Sequence, residues 1–241
     1  MPPRLRADDP SVQQLKAAVL AGDVPTVQRT LLEHPRLVPA RIVRGEGRSI
    51  TALHIVADWP GHFPNGPATV RALVAAGADV NAAGEGQFAE TALHWAASSD
   101  DREVAEALID AGANIQAPGG SIAEGSPLDN AVGYACWDVA RLLVQRGAPV
   151  NRLWHAGGLG LTRRLEELLS ADPTPTHAQI NQAFWHACSG GQRRAAEYLL
   201  AHGADLGYVP EYARDTPLGA AGGLPTQRQL LVDWLRSRGA R

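Results

Sequence analysis

Several side chains capable of moving a proton stand beside tryptophan in this chain. Asp58, Trp59 and His62 fall in one short stretch, Trp95 is followed closely by Asp100, and a Trp-His pair occurs twice, as Trp154-His155 and Trp185-His186. A carboxylate that orients an imidazole makes a general acid–base pair. If Asp58, His155 and His186 converged between tryptophan walls, they would form the catalytic group of an enzyme or the polar contacts of a small-molecule binder. Against this stands the absence of any named catalytic motif: there is no G-x-S-x-G elbow, no phosphate-cradling glycine loop ending in Lys-Ser/Thr and no H-E-x-x-H pair. His62 beside Asp58 also reads as an ordinary turn pair.

Metal chemistry needs more than two imidazoles. Each must bring a nitrogen to about 2 Å from a zinc ion, and no cysteine or carboxylate is evidently placed to complete a set with His155 and His186. The expectation is no metal and no cofactor. Cys136 and Cys188 are the only cysteines, too few for a disulfide framework, and suit a reducing cytoplasm. With a net charge of -3 and arginines scattered among acids, nucleic acid is not an expected partner. The N-terminal MPPRLRADDP lacks an apolar core for secretion, and no run approaches the roughly 18 apolar residues of a membrane span.

The elements that must position these residues come from an internal repeat. Thr51-Ala-Leu-His54 returns as Thr91-Ala-Leu-His94, Ser126-Pro-Leu-Asp129 and Thr216-Pro-Leu-Gly219, at spacings of 40, 35 and 90 residues. A second marker follows: Ala76-Gly-Ala-Asp-Val-Asn81, Ala111-Gly-Ala-Asn-Ile-Gln116, Arg146-Gly-Ala-Pro-Val-Asn151 and His202-Gly-Ala-Asp-Leu-Gly207. Thr or Ser caps a first helix, Leu begins its buried face, small pairs such as Ala96-Ala97 allow close packing, and glycine ends a second helix. One such unit cannot bury its own apolar face, so neighbours must stack.

Together the two markers resemble the signature of the ankyrin-repeat family. The resemblance implies an all-α solenoid of about seven helix-turn-helix units with short β-hairpin-like fingers, read as one domain over residues 1–241. An N-terminal capping pair is expected over 11–37, central repeats over 50–207 and a C-terminal capping pair over 216–241, with Gln227, Arg228, Arg236 and Arg238 wetting the last pair. Leu153-Trp-His-Ala and Phe184-Trp-His-Ala read as weaker copies. The fingers from Asp79 to Thr91 and Asn114 to Ser126 are about two residues longer than the family's usual hairpin. No room is left for a finger between Asn151 and Leu153, and the insertion from Asp58 to Pro67 lengthens the turn of the second pair. That stretch looks like one found in bacterial ankyrin-repeat proteins.

The resemblance further implies that first helices and fingers line a concave groove and that the position after the Leu-His pair faces it. That position holds Ile55, Trp95, Asn130, His155, His186 and Ala220, and the same face adds Asp58, Trp59, Ser98, Ser99, Tyr134 and Ser189. The candidate binding residues are therefore Ile55, Asp58, Trp59, His62, Trp95, Ser98, Asn130, Tyr134, His155, Trp185 and His186. Trp95 and Tyr134 admit two readings, a binding anchor or a seal between helices. His54 and His94 are expected to tie adjacent loops together. The reading is a cytoplasmic, monomeric module that binds a protein or peptide in its groove; the alternative is an enzyme or small-molecule binder that uses the same groove.

Overall fold

In a computed structural model of the chain, residues 1–45, 47–222 and 228–241 are described. Gln227, expected on the last helix pair, lies outside them. The described residues form two compact units, Met1–Ala148 and Pro149–Arg241, where the repeat series reads as one domain. The boundary falls where the sequence leaves no room for a finger.

The first unit begins with strand β1 (Arg4–Arg6) and the helix pair α1 (Pro10–Ala21) and α2 (Val24–Glu33). Strands β2 (Arg41–Val43) and β3 (Ser49–Ile50) follow, then the pairs α3 (Ala52–Val56) and α4 (Gly66–Ala75), α5 (Ala92–Ser98) and α6 (Arg102–Asp110), and α7 (Pro127–Gly133) and α8 (Trp137–Gln145). First helices stack on first helices, α3 to α5 to α7, and second helices on second helices, α2 to α4 to α6 to α8. The second unit holds α9 (Leu153–Leu159) with α10 (Thr162–Leu169), α11 (His177–Ser189) with α12 (Arg193–Ala201), and α13 (Pro217–Gly222) with α14 (Gln229–Ser237). Seven helix pairs are thus present among the described residues, as the repeat predicts.

Apolar periodicity explains why these short helices hold. Leu53, Leu93 and Leu128 on the first helices and Leu73, Leu108 and Leu143 on the second are buried, at roughly 1.5–3 kcal/mol each. Ala96, Ala97 and Ala131 are fully covered and let helix axes approach. Backbones also approach closely in the second unit, where a Cβ on Gly157 would lie 2.5 Å from the Ala183 carbonyl oxygen. Glycine there is a steric requirement.

Each capping motif closes on itself. The Thr51 N–H donates to His54 Nδ1 at 3.2 Å and the Thr91 N–H to His94 Nδ1 at 3.1 Å. Because Nδ1 accepts, the ring proton sits on Nε2, which donates to the Glu90 carbonyl at 2.9 Å from His54 and to the Gly125 carbonyl at 3.2 Å from His94. Each imidazole therefore caps its own helix and holds the end of the next finger, as expected of both. In the next copy the Asp129 carboxylate accepts the Ser126 N–H at 2.8 Å and so keeps the cap. No strand or finger lies between α8 and α9 among the described residues.

Three features lie beyond the sequence reading. Strand β1 pairs in parallel with β2, Leu5 opposite Ile42, while β2 pairs antiparallel with β3. The N-terminal segment thus completes a three-stranded sheet, and the sheet is extended by a bridge from Ser49 to Glu85 in the first long finger. Helix α11 starts at His177, well before the Phe184 motif, because Thr176 and Gln179 form a capping box ahead of it. The insertion after α3 is a fixed turn: the His62 N–H donates to Asp101 Oδ2 at 2.6 Å and the Asn65 amide to the Gly22 carbonyl at 2.9 Å.

Burial pushes the His54 imidazole down to about 4 and lowers His94 as well. Unfolded, both would take protons near pH 6.5. Between about pH 6.5 and 4 the unfolded chain binds more protons, so the stability from these rings is complete above 6.5 and is lost as the pH falls towards 4. The urea midpoint is expected to drop between pH 7.5 and 5; a midpoint unchanged over that range contradicts neutral buried rings.

Candidate functional site

In the first unit the side chains converge on Trp95. Its ring is half-buried on α5, packed edge-on against His54 with centroids 5.0 Å apart. The indole N–H donates to Glu90 Oε2 at 2.9 Å. Glu90 Oε1 accepts the Asn130 amide at 2.7 Å and the Ser121 backbone N–H at 2.8 Å. The Asn130 amide also reaches Ser98 Oγ at 3.1 Å, and Asn130 Oδ1 accepts the Ile122 N–H at 3.2 Å. One carboxylate thus fixes a tryptophan from its own repeat and a finger and helix from the next.

Two open clefts flank the indole. One, of about 220 Å³, lies between Trp95, Trp59, Tyr134 and Ser98. Trp59 is 81% exposed and Tyr134 50%, and the Tyr134 hydroxyl lies 3.2 Å from Ser121 Oγ. The other cleft, of about 450 Å³, lies between Trp95, Phe88, Ile50, Arg44 and Arg48. Arg44 connects the two: it pairs with Asp58 at 2.9 Å and its guanidinium stands 5.8 Å from the Trp95 ring centre. An aromatic wall on rigid helices with satisfied polar groups behind it is suited to receiving apolar side chains of a ligand.

The other candidate residues of this unit take up plain positions. Asp58 uses one oxygen for Arg44 and the other for the Trp59 N–H, while the His62 side chain is exposed. Asp100, on the far side of the α5–α6 turn, caps α8 by accepting the Asp138 and Val139 N–H groups. Ile55 and Asn130 are buried, although the position after the Leu-His pair was expected to face the groove. Closely stacked first helices cover Ile55 and Asn130, whereas the Trp95 ring and Ala220, on the last pair, stay partly exposed.

His155 and His186, in the second unit, are buried for the same reason, at 1% exposure each. The Trp154 ring lies 4.2 Å from His155 and 4.9 Å from His186, centre to centre. His186 Nε2 is 2.9 Å from the Tyr212 hydroxyl, which also accepts the Gln182 amide at 3.1 Å. Trp185 donates to the Asp215 carbonyl at 2.8 Å. Burial, reinforced by His155, pushes His186 down to about 3. A ring so weakly basic is a poor proton acceptor at neutral pH. Among the described residues, no group of three or more His, Cys, Asp or Glu is arranged to hold a metal ion.

Sequence reasoning missed Glu90, Arg44, Ser121 and Tyr212. Glu90 left one signal: it stands immediately before the third-repeat Thr-Ala-Leu-His, in the slot filled by Ile50 and Gly125 in neighbouring copies. Burial also pushes the Cys136 thiol up to about 12 and raises Cys188 further, so both are inert packing residues. No helix among the described residues is long and apolar enough to cross a membrane.

Comparison with known proteins agrees with this architecture. The family profile described as Ankyrin repeats (3 copies) matches residues 15–119 and 53–153. No curated protein sequence matches the chain. Among solved structures, the human ASB11 ankyrin repeat domain is 17% identical, with a TM-score of 0.52 over 90% of this chain and 96% of that one. The ankyrin repeat domain of Bcl-3, a member of the IkappaB protein family, is 25% identical, with a TM-score of 0.49 over 92% of this chain and 97% of that one. With the profile covering more than half its length and the motif histidines bonded from finger to finger, the chain belongs to the ankyrin-repeat family.

Proposed function

We propose that the protein is a cytoplasmic, monomeric binding module that receives a protein or peptide partner on the face centred on Trp95. The observation that carries this reading is the seating of Trp95: its indole is locked by Glu90 and His54, yet its face opens on two clefts beside the exposed Trp59 and Tyr134. A preordered aromatic anchor loses little side-chain entropy on binding and is the residue type most often found at binding hot spots. Open clefts flanking a ridge fit a chain segment better than an enclosed metabolite.

Native mass spectrometry of the protein purified gently from its own host tests this. A stoichiometric protein adduct is expected, and Trp95→Ala should weaken that complex by about 2 kcal/mol or more while the circular dichroism spectrum is retained. A reproducible adduct of small-molecule mass, with no protein adduct, would overturn the proposal.

The role of Glu90 is checked separately. Glu90→Ala removes one of the two acceptors of the buried Asn130 amide and frees the indole, and is expected to cost about 1–3 kcal/mol in urea unfolding together with a red shift in tryptophan emission. An unchanged emission maximum would show that Trp95 is held by packing alone.

A further inference from the structure

The larger cleft carries charge that the rest of the site has not used. Its acids are occupied: Glu85 accepts Arg4 at 2.8 Å and Ser49 Oγ at 2.6 Å, and Glu90 takes the three donors already described. Arg44 is shared between Asp58 and the Trp95 face. Arg48 is different. Its side chain is exposed and lies along the finger at Gly86, where an added Cβ would meet its Cγ at 3.0 Å, and it has no ion pair among the described residues. Arg48 thus stands on the cleft rim without an ion pair among the described residues, beside Ile50, Phe88 and Trp95.

We infer that the partner segment is acidic: an aliphatic or aromatic side chain enters the cleft against Trp95 and Phe88, and an Asp or Glu close to it in sequence pairs with Arg48. This inference rests on the Trp95-centred reading and adds the chemical class of the ligand. The geometry favours a carboxylate because guanidinium donors form a fork that accepts both carboxylate oxygens. A basic segment would meet Arg44 and Arg48, and the lining acids Glu85 and Glu90 are already engaged. The apolar lining supplies contact area, and Arg48 supplies the choice between segments of similar hydrophobicity.

The test is selection of a random dodecapeptide phage library on the full-length protein, with counter-screening on Arg48→Glu and Trp95→Ala, each first shown to melt like the parent. Peptides that need Trp95 are expected to carry Asp or Glu within a few positions of an apolar residue. They should bind Arg48→Glu at least tenfold more weakly, and their affinity for the unaltered protein should fall as sodium chloride is raised from 50 to 500 mM. Peptides that need Trp95 but show no acidic enrichment, no salt dependence and equal affinity for Arg48→Glu overturn the acidic partner and leave the Trp95 site standing. Recovery of no Trp95-dependent peptide overturns both.

Discussion

The arrangement of the first unit depends on which nitrogen of His54 carries the proton. The ring accepts a backbone N–H through Nδ1, so Nε2 must donate, and the acceptor it meets is the carbonyl of Glu90. That bond places residue 90, and the side chain of residue 90 then holds Trp95, Asn130 and Ser121. The anchor of one repeat is therefore positioned by the helix cap of the repeat before it. The same ring also lies edge-on to Trp95, so polar and packing constraints act at one point.

The division between structural and binding residues follows from helix length. First helices of five to seven residues, such as α3, α5 and α7, expose little side surface once their neighbours are in place. A position between two of them is closed over, which buries Ile55 and Asn130 whatever their chemistry. Side chains reach solvent either by being large, as at Trp95, or by standing on a turn, as at Trp59 and Tyr134.

The helix pairs and the bridging histidines were legible because they recur at fixed spacing, and repetition exposes positions whose chemistry is constrained. The missing finger before Leu153 was legible for the same reason. What recurrence cannot reveal is a residue used once. Glu90 occupies a slot that is Ile50 or Gly125 elsewhere, and Arg44 acts through a cleft formed by three separate segments. Strand β1 was illegible because three residues of Arg-Leu-Arg carry no pattern until β2 stands beside them. The early start of α11 follows from a capping box in a region read only as a connection.

Several bonds between repeats in the first unit share one direction. His54 reaches forward to residue 90, Asn81 to Gly112 and Asn114, His94 to residue 125, and Asp100 to the N-terminus of α8. In each case the earlier repeat contributes the side chain and the later one the backbone group. A chain leaving the ribosome exposes its N-terminal portion first, so each new repeat emerges opposite side chains that are already in place. These four sets of bonds can close in the order of synthesis, whereas the His62 N–H and the Gly22 carbonyl wait for the later residues Asp101 and Asn65.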